Sequence, residues 1–246
     1  MAENAETIDT LFRGRIVLHQ RRNGYRFTED ALLLADWARK DSGSLIDLGT
    51  GCGVIPIILG RTGKAKSLTG LEIQPALYEL ARQNVLINHM EEMIEIIHGD
   101  IRRIKTIFAE FSFDTVITNP PYITSDDGNV SPDGEKAAAK HETLCSLQDV
   151  LEAAAHLMSP KGTFRIIFPN SRLFELFVLM AGAGLTPKKL KFVHEKADKP
   201  SKVCLVAAGR GKNAKCEVDP PMIMFESDGR PTPENMRIFE SGIPDG

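Results

Sequence analysis

The sequence is poor in the features that mark several large classes of protein. No apolar run is long enough to cross a bilayer, and Met1-Ala2-Glu3-Asn4 is polar where a signal core would be apolar. No membrane association is expected. The four cysteines, Cys52, Cys145, Cys204 and Cys216, never form a Cys-x-x-Cys pair. Free thiols in a reducing, cytoplasmic setting are therefore expected, with neither disulfides nor a metal. An excess of positive charge is also missing: the net charge is −3, so any site for a polyanion must be a local patch. Internal repeats and a second apolar core are missing as well. The 246 residues, 42% of them hydrophobic, suit one well-buried α/β domain.

What is present is a repeated strand–loop–helix alternation. Thr28-Glu29-Asp30 places a hydroxyl ahead of two acids, the signature of a helix start, and that helix runs to about Lys40. Leu45–Leu48 reads as a short buried strand, followed by Gly49-Thr50-Gly51-Cys52-Gly53 and a helix over Val54–Leu59. Further strands are predicted at Leu68–Glu72, Ile94–His98, Phe113–Thr118 and Gly162–Phe168, with helices from Pro75, around Arg102–Glu110, over Thr143–Met158 and over Arg172–Ala181. This spacing predicts a mostly parallel sheet with helices on both faces. A lysine-bearing strand (Lys188, Lys189, Lys191) and Lys202–Ala208 have no long helix between them, which predicts a closing antiparallel hairpin.

The ends of the chain are less regular. Residues 1–10 read as a frayed acidic start. Between Thr10 and Glu29 there is no acid, but Arg13, Arg15, Arg21, Arg22 and Arg26 are present. A short strand over Arg15–Gln20 and a turn at Asn23-Gly24 are expected there. Two readings stand: a solvated edge whose charges discourage strand pairing, or an arm that contacts phosphates. Tyr122–Lys140 is polar and turn-rich, as a lid would be. Thr232-Pro233-Glu234 reads as a capped helix start in the tail.

Chemistry-bearing residues collect where the strands end. Asp47, Glu72, Asp100 and Asn119 all lie at the carboxyl ends of predicted strands, the position at which open α/β sheets bind ligands. The glycine spacing, Gly-x-Gly-x-Gly, departs from the Gly-x-Gly-x-x-Gly of dinucleotide sites, and Asp47 beside it would repel a pyrophosphate. A carboxylate there suits an ammonium group instead. Glu72 is placed to accept from ribose hydroxyls and Asp100 from an adenine amine. Hydroxyls, adenine and a cationic amino-acid tail without phosphate describe S-adenosylmethionine. Asn119-Pro120-Pro121-Tyr122 follows the fourth strand. Two prolines fix the backbone and aim the Asn119 side-chain oxygen and the Pro120 carbonyl at a planar amine, with Tyr122 beside them.

Taken together, Asp47-Leu48-Gly49-Thr50-Gly51-Cys52-Gly53, Glu72, Asp100 and Asn119-Pro120-Pro121-Tyr122 resemble a class I S-adenosylmethionine-dependent methyltransferase of the amino-methylating group. Within that group, Gly24–Ala35, Lys140-His141-Glu142 and Pro221–Phe225 most resemble the bacterial valine-tRNA (adenine-N6)-methyltransferase family. The resemblance implies a Rossmann-like, seven-stranded, mostly parallel sheet. It implies one methyltransferase domain over 1–246, with a basic arm (1–27), a core (28–210) and an extension (211–246). Asp47, Gly49 and Gly51 would hold the methionine end of the donor, Thr28 would pack beside it, Glu72 would take the ribose and Asp100 the adenine. Asn119 and Pro120 would grip the target amine, Tyr122 would stack on its base with Pro121 alongside, and Arg21 and Arg22 would meet RNA phosphates.

The expected reaction is methylation of the exocyclic N6 of an unpaired adenine in a structured RNA, above all tRNA. Release-factor glutamine methylation uses the same four-residue motif, but enzymes of that kind carry a helical recognition domain ahead of the core, and the segment here is short. Methylation of an rRNA base is a further alternative. A decayed binding module is disfavoured by the intact motif, and a nicotinamide oxidoreductase by the glycine spacing. No general base is required, and His141 reads as a loop or packing residue.

Overall fold

The computed structural model of the protein describes residues 6–21, 26–38, 43–61, 65–120, 145–211 and 215–241. A central sheet takes its first strands from the alternation read in the sequence. These are β3 (Gly43–Leu48), β4 (Ala65–Glu72), β5 (Ile94–His98), β6 (Phe113–Thr118) and β7 (Met158–Pro169), all parallel to one another. Two long strands complete the core: β8 (Leu185–His194) and β9 (Val203–Arg210). With two short additions, β10 (Glu217–Val218) and β11 (Met222–Ile223), the order is β10-β8-β9-β7-β6-β3-β4-β5, and β11 pairs with β8. Strand β9 runs antiparallel to both β7 and β8, so the expected closing hairpin is present. Between β3 and β6 the chain order reverses, which opens a crevice at their carboxyl ends.

Helices cover both faces. α1 (Glu29–Ala38), α2 (Val54–Arg61) and α3 (Pro75–Ile87) share one apolar cluster, in which Leu34, Ile57 and Leu205 are fully buried. α4 (Ile104–Ile107), α5 (Leu147–Leu157) and α6 (Leu173–Gly182) share the other, around Leu151, Phe164 and Leu176. Strands covered on both sides should be apolar throughout rather than alternating, and the core-facing part of β6, Val116-Ile117-Thr118, is buried residue after residue. Helix α5 is fixed at its start by a capping box between Ser146 and Asp149. The Arg165 guanidinium lies 4.6 Å from the Trp37 ring centroid, pinning α1 to β7.

The amino-terminal segment differs from expectation. Residues 6–11 are not frayed but form strand β1 (Glu6–Leu11), antiparallel to β2 (Ile16–Arg21). The turn lies at Phe12-Arg13-Gly14, all three with positive φ. Such a backbone is disfavoured for phenylalanine and arginine, but Phe12 is buried in the first apolar cluster and that contact offsets the strain. This turn, which no Asn-Gly signal marks, joins β2 to a strand that precedes it. The expected turn at Asn23-Gly24 lies outside the described residues.

The tail differs too. Met224 and Phe225 donate their backbone N–H groups to the carbonyls of His194 and Glu195 at 2.9 and 2.8 Å. With β10 and β11 this covers the edge of β8, a standard remedy for an open strand. Thr232 caps the short helix α7 (Pro233–Met236), as the sequence predicts, by accepting from the Asn235 N–H. Beyond it, the Arg237 guanidinium grips both oxygens of Asp36 on α1 at 2.5 and 2.8 Å.

Candidate active site at the strand ends

Register brings the predicted acids to one rim. Asp47 on β3 lies opposite Gly70 on β4 and Ile117 on β6, while Glu72 pairs with His98. Asp100 and Asn119 each follow two residues beyond those partners. The glycine loop leaves β3 at this rim and turns into α2. Its Gly49 and Thr50 N–H groups both donate to the Leu71 carbonyl, at 2.9 and 3.0 Å. Gly49, Gly51 and Gly53 all have positive φ. The loop also needs a glycine opposite it: a Cβ at Gly70 would stand 2.8 Å from Thr50 Cγ2.

Asp47 is 1% exposed, and neither of its carboxylate oxygens has a hydrogen-bond partner. Burial pushes its carboxyl up to about 7; the nearby Thr50 hydroxyl, which does not reach hydrogen-bond geometry, opposes the rise in part and Glu72 adds repulsion. The Thr50 hydroxyl is itself buried and unpartnered. Buried polar atoms are normally satisfied, and an unpaired carboxyl beside a hydroxyl at a ligand rim suits a ligand that carries an ammonium group. These residues fit the amino-acid end of S-adenosylmethionine.

Glu72 is also buried, but it is partnered. Its Oε2 accepts from the Gly51 N–H and its Oε1 from the Gln74 N–H, both at 2.9 Å. Burial raises its pKa, and these two backbone donors oppose that rise. Each oxygen retains a lone pair for a further donor such as a hydroxyl. Glu72 therefore holds the glycine loop in shape as well as facing the rim, a role the sequence did not reveal.

Asp100 is committed more fully. It caps a 3-10 turn (Ile101–Arg103), and both oxygens accept from the Arg102 guanidinium, the shortest contact being 2.6 Å. Arg102 holds its carboxyl below the usual range. An adenine amine could reach Asp100 only after Arg102 releases an oxygen.

On β6, Thr118 donates its hydroxyl to the Leu48 carbonyl at 2.8 Å, a buried bond that ties the two lips of the crevice together. Asn119 is half-buried and Pro120 buried. A small cavity of about 60 Å³ opens here, lined by Gly49, Thr118, Pro120, Phe168 and Arg172 among others. A larger groove of about 680 Å³ follows α3 and β5 past Arg82 and Leu86, away from these residues. Pro121, Tyr122, the Tyr122–Lys140 segment and Lys140-His141-Glu142 lie outside the described residues, as does Arg22.

The basic patches are less free than the sequence implied. Arg26 bonds Asp9 and the Thr7 hydroxyl, each at 2.7 Å, both on β1. Arg21 is half-buried on β2. Thr28 is exposed at the start of α1, where its carbonyl accepts from the Ala31 N–H. Lys189 pairs with Asp219 at 3.1 Å and Lys191 with Glu234 at 3.1 Å, so tail acids neutralise two of the three lysines on β8. Among the described residues there is no group of His, Cys, Asp and Glu that could hold a metal ion. Nor is any described helix long and apolar enough to cross a membrane.

Comparison with known proteins converges on the same chemistry. The family model for the methyltransferase small domain matches residues 29–173, more than half of the chain. The chain belongs to the methyltransferase small domain family. It is a methyltransferase, and the methyl donor is S-adenosylmethionine. A protein of Porphyromonas gingivalis named tRNA1(Val) (adenine(37)-N6)-methyltransferase is 29% identical, over 87% of each chain. A relative of the same name from Tolumonas auensis is 26% identical, over 91% of this chain and 92% of its own. Among solved structures, a predicted O-methyltransferase of Agrobacterium tumefaciens superposes with a TM-score of 0.67 at 22% identity, covering 85% of this chain and 94% of its own. M. jannaschii TYW2 in complex with AdoMet gives 0.56 at 15%, over 86% and 89%. These last two establish the shared fold.

Proposed function

We propose that this methyltransferase modifies the exocyclic N6 of an exposed adenine in tRNA, with adenine 37 of a valine tRNA, the nucleotide in its relatives' names, as the target. The reading rests above all on one juxtaposition. The pair Asn119 and Pro120 follows β6, directly beside β3, which carries the unpaired Asp47 and leads into the glycine loop.

S-adenosylmethionine, when bound, supplies a methyl group already activated on a sulfonium, so the protein's task is alignment. In this reading Asp47 and the Gly49–Gly51 backbone hold the methionine end with Thr28 beside it, Glu72 takes the ribose hydroxyls and Asp100 the adenine. The Asn119 side-chain oxygen and the Pro120 carbonyl accept the two hydrogens of the target amine. That draws the nitrogen lone pair out of conjugation with the ring and stabilises the positive charge that develops there. The proton then leaves to water. Tyr122 stacks on the base, with Pro121 shaping the pocket, and stacking contributes about 1–3 kcal/mol. A base within a helix cannot enter such a pocket, so the target is unpaired or flipped out. Arg21 and Arg22 contribute phosphate contacts.

The deciding experiment incubates the protein with labelled donor and an unmodified tRNA pool, then digests the RNA to nucleosides. Label in N6-methyladenosine is expected. Label in the glutamine of an added release factor, with none in RNA, would overturn the assignment.

A further inference from the structure

Two asparagines on α3, Asn84 and Asn88, are buried at 0% and 3% exposure, where an amphipathic helix would ordinarily place apolar residues. Both act as a substitute strand edge for β2. Asn84 accepts from the His19 N–H at 2.7 Å and donates to the His19 carbonyl at 3.0 Å. Asn88 does the same with Val17, at 3.1 and 2.7 Å. Residues 17 and 19 are the alternate, outward-facing backbone groups of β2, and an i, i+4 pair on a helix presents its two amides on one face.

The two amides differ in where their second N–H goes. That of Asn88 returns to its own helix, to the Asn84 carbonyl at 2.7 Å. That of Asn84 leaves the helix and donates to the Cys52 carbonyl at 2.9 Å, inside the glycine loop. The loop is thus gripped from two sides. Glu72 holds the Gly51 N–H, and α3 holds the next carbonyl. The same helix face packs Ala81 so closely under Gly53 that a Cβ there would lie 3.3 Å from the Ala81 Cβ.

We infer that Asn84 is a positioning residue for donor binding: it fixes the glycine loop at Cys52 and couples that loop to the β1–β2 hairpin. The hairpin is then a brace for the donor site, whatever else its arginines do. This inference rests on the reading that the glycine loop holds the donor.

Asn84→Asp and Asn88→Asp make a matched pair. Each removes two N–H donors and keeps the acceptor oxygen that β2 requires; each loses one bond to a β2 carbonyl, and they differ in the second bond lost, which is to Cys52 for Asn84 and to the Asn84 backbone carbonyl for Asn88. S-adenosylmethionine binding is measured by calorimetry, with kcat and donor KM measured alongside. Asn84→Asp is expected to raise the donor Kd and KM roughly tenfold, the weight of one buried hydrogen bond, with kcat at saturating donor retained. Asn88→Asp is expected to lower the melting temperature comparably but leave donor Kd within twofold. Equal donor affinity in the two variants would overturn the inference. Hydrogen exchange on the unaltered protein gives a second reading, because coupling is reciprocal. Donor saturation should slow exchange at the His19 amide more than at Val17, and no such difference would also overturn it. If the unaltered protein binds no S-adenosylmethionine, the donor-site reading itself fails, a result distinct from either of these.

Discussion

Asp47→Asn is the perturbation with the most to reveal, because the same burial that prepares a binding site should destabilise the empty protein. In the unfolded chain the carboxyl keeps its ordinary value of 3.8, and in the fold burial lifts it to about 7. Between those values the folded protein holds a proton that the unfolded chain has released. Stability therefore falls as pH rises across this window, and the loss is complete above pH 7. A rise from 3.8 to about 7, at ~1.4 kcal/mol for each tenfold change in proton affinity, sets an upper bound of ~4 kcal/mol. Asparagine is close in shape to the protonated acid and carries a similar set of unpaired atoms, but it cannot ionise. The two proteins should therefore be of similar stability near pH 4, and the variant should gain progressively, by up to ~4 kcal/mol at pH 8. Urea unfolding of both proteins without donor, at several pH values from 4 to 8, measures the gap directly. The variant should also bind S-adenosylmethionine more weakly, since it has no charge to offer an ammonium. A stability difference that stays flat with pH, or a variant less stable at pH 8, would refute the reasoning.

Three further outcomes are expected. Asn119→Ala should retain donor binding by calorimetry and lose roughly 10²–10³-fold in kcat, the usual weight of one transition-state hydrogen-bond partner. Ser146→Ala removes half of the α5 capping box and should cost about 1 kcal/mol in chemical denaturation while leaving donor affinity unchanged. Reversing Arg21 and Arg22 to glutamate should weaken tRNA binding and flatten its dependence on salt; unaltered binding would remove the arm from the RNA footprint.

How much was legible in advance varied with the range of the interaction. Strands β5 and β6 fall on the residues predicted, Ile94–His98 and Phe113–Thr118, because a buried parallel strand bounded by turn residues announces itself locally. The rim of Asp47, Glu72, Asp100 and Asn119 was equally readable, since each lies within two residues of a strand end and the strand defines where that end falls. Strand β1 was not. Glu6–Leu11 is polar and exposed at alternate positions, and only β2 across from it makes it a strand. Asn84 and Asn88 gave one weak signal, two polar residues spaced like core positions of a helix. Their partners, 65 and 71 residues away in sequence, could not be inferred from it. The commitment of Asp100 to Arg102 was equally invisible, because either residue alone would serve as a strand-end acid or a surface cation.

By itself, then, the sequence determined the strand–helix alternation of the core, the family chemistry and the residues at the strand ends, all properties of short windows where backbone preference and apolar spacing act. Only the tertiary structure decided which of those acids stands unpaired. Asp47 and Glu72 are both buried acids at strand ends, but the Gly51 and Gln74 N–H groups turn towards Glu72 and none reaches Asp47. Hydrogen bonds are short and directional, so the difference depends on where the folded loop aims its backbone, which no local pattern of residues encodes.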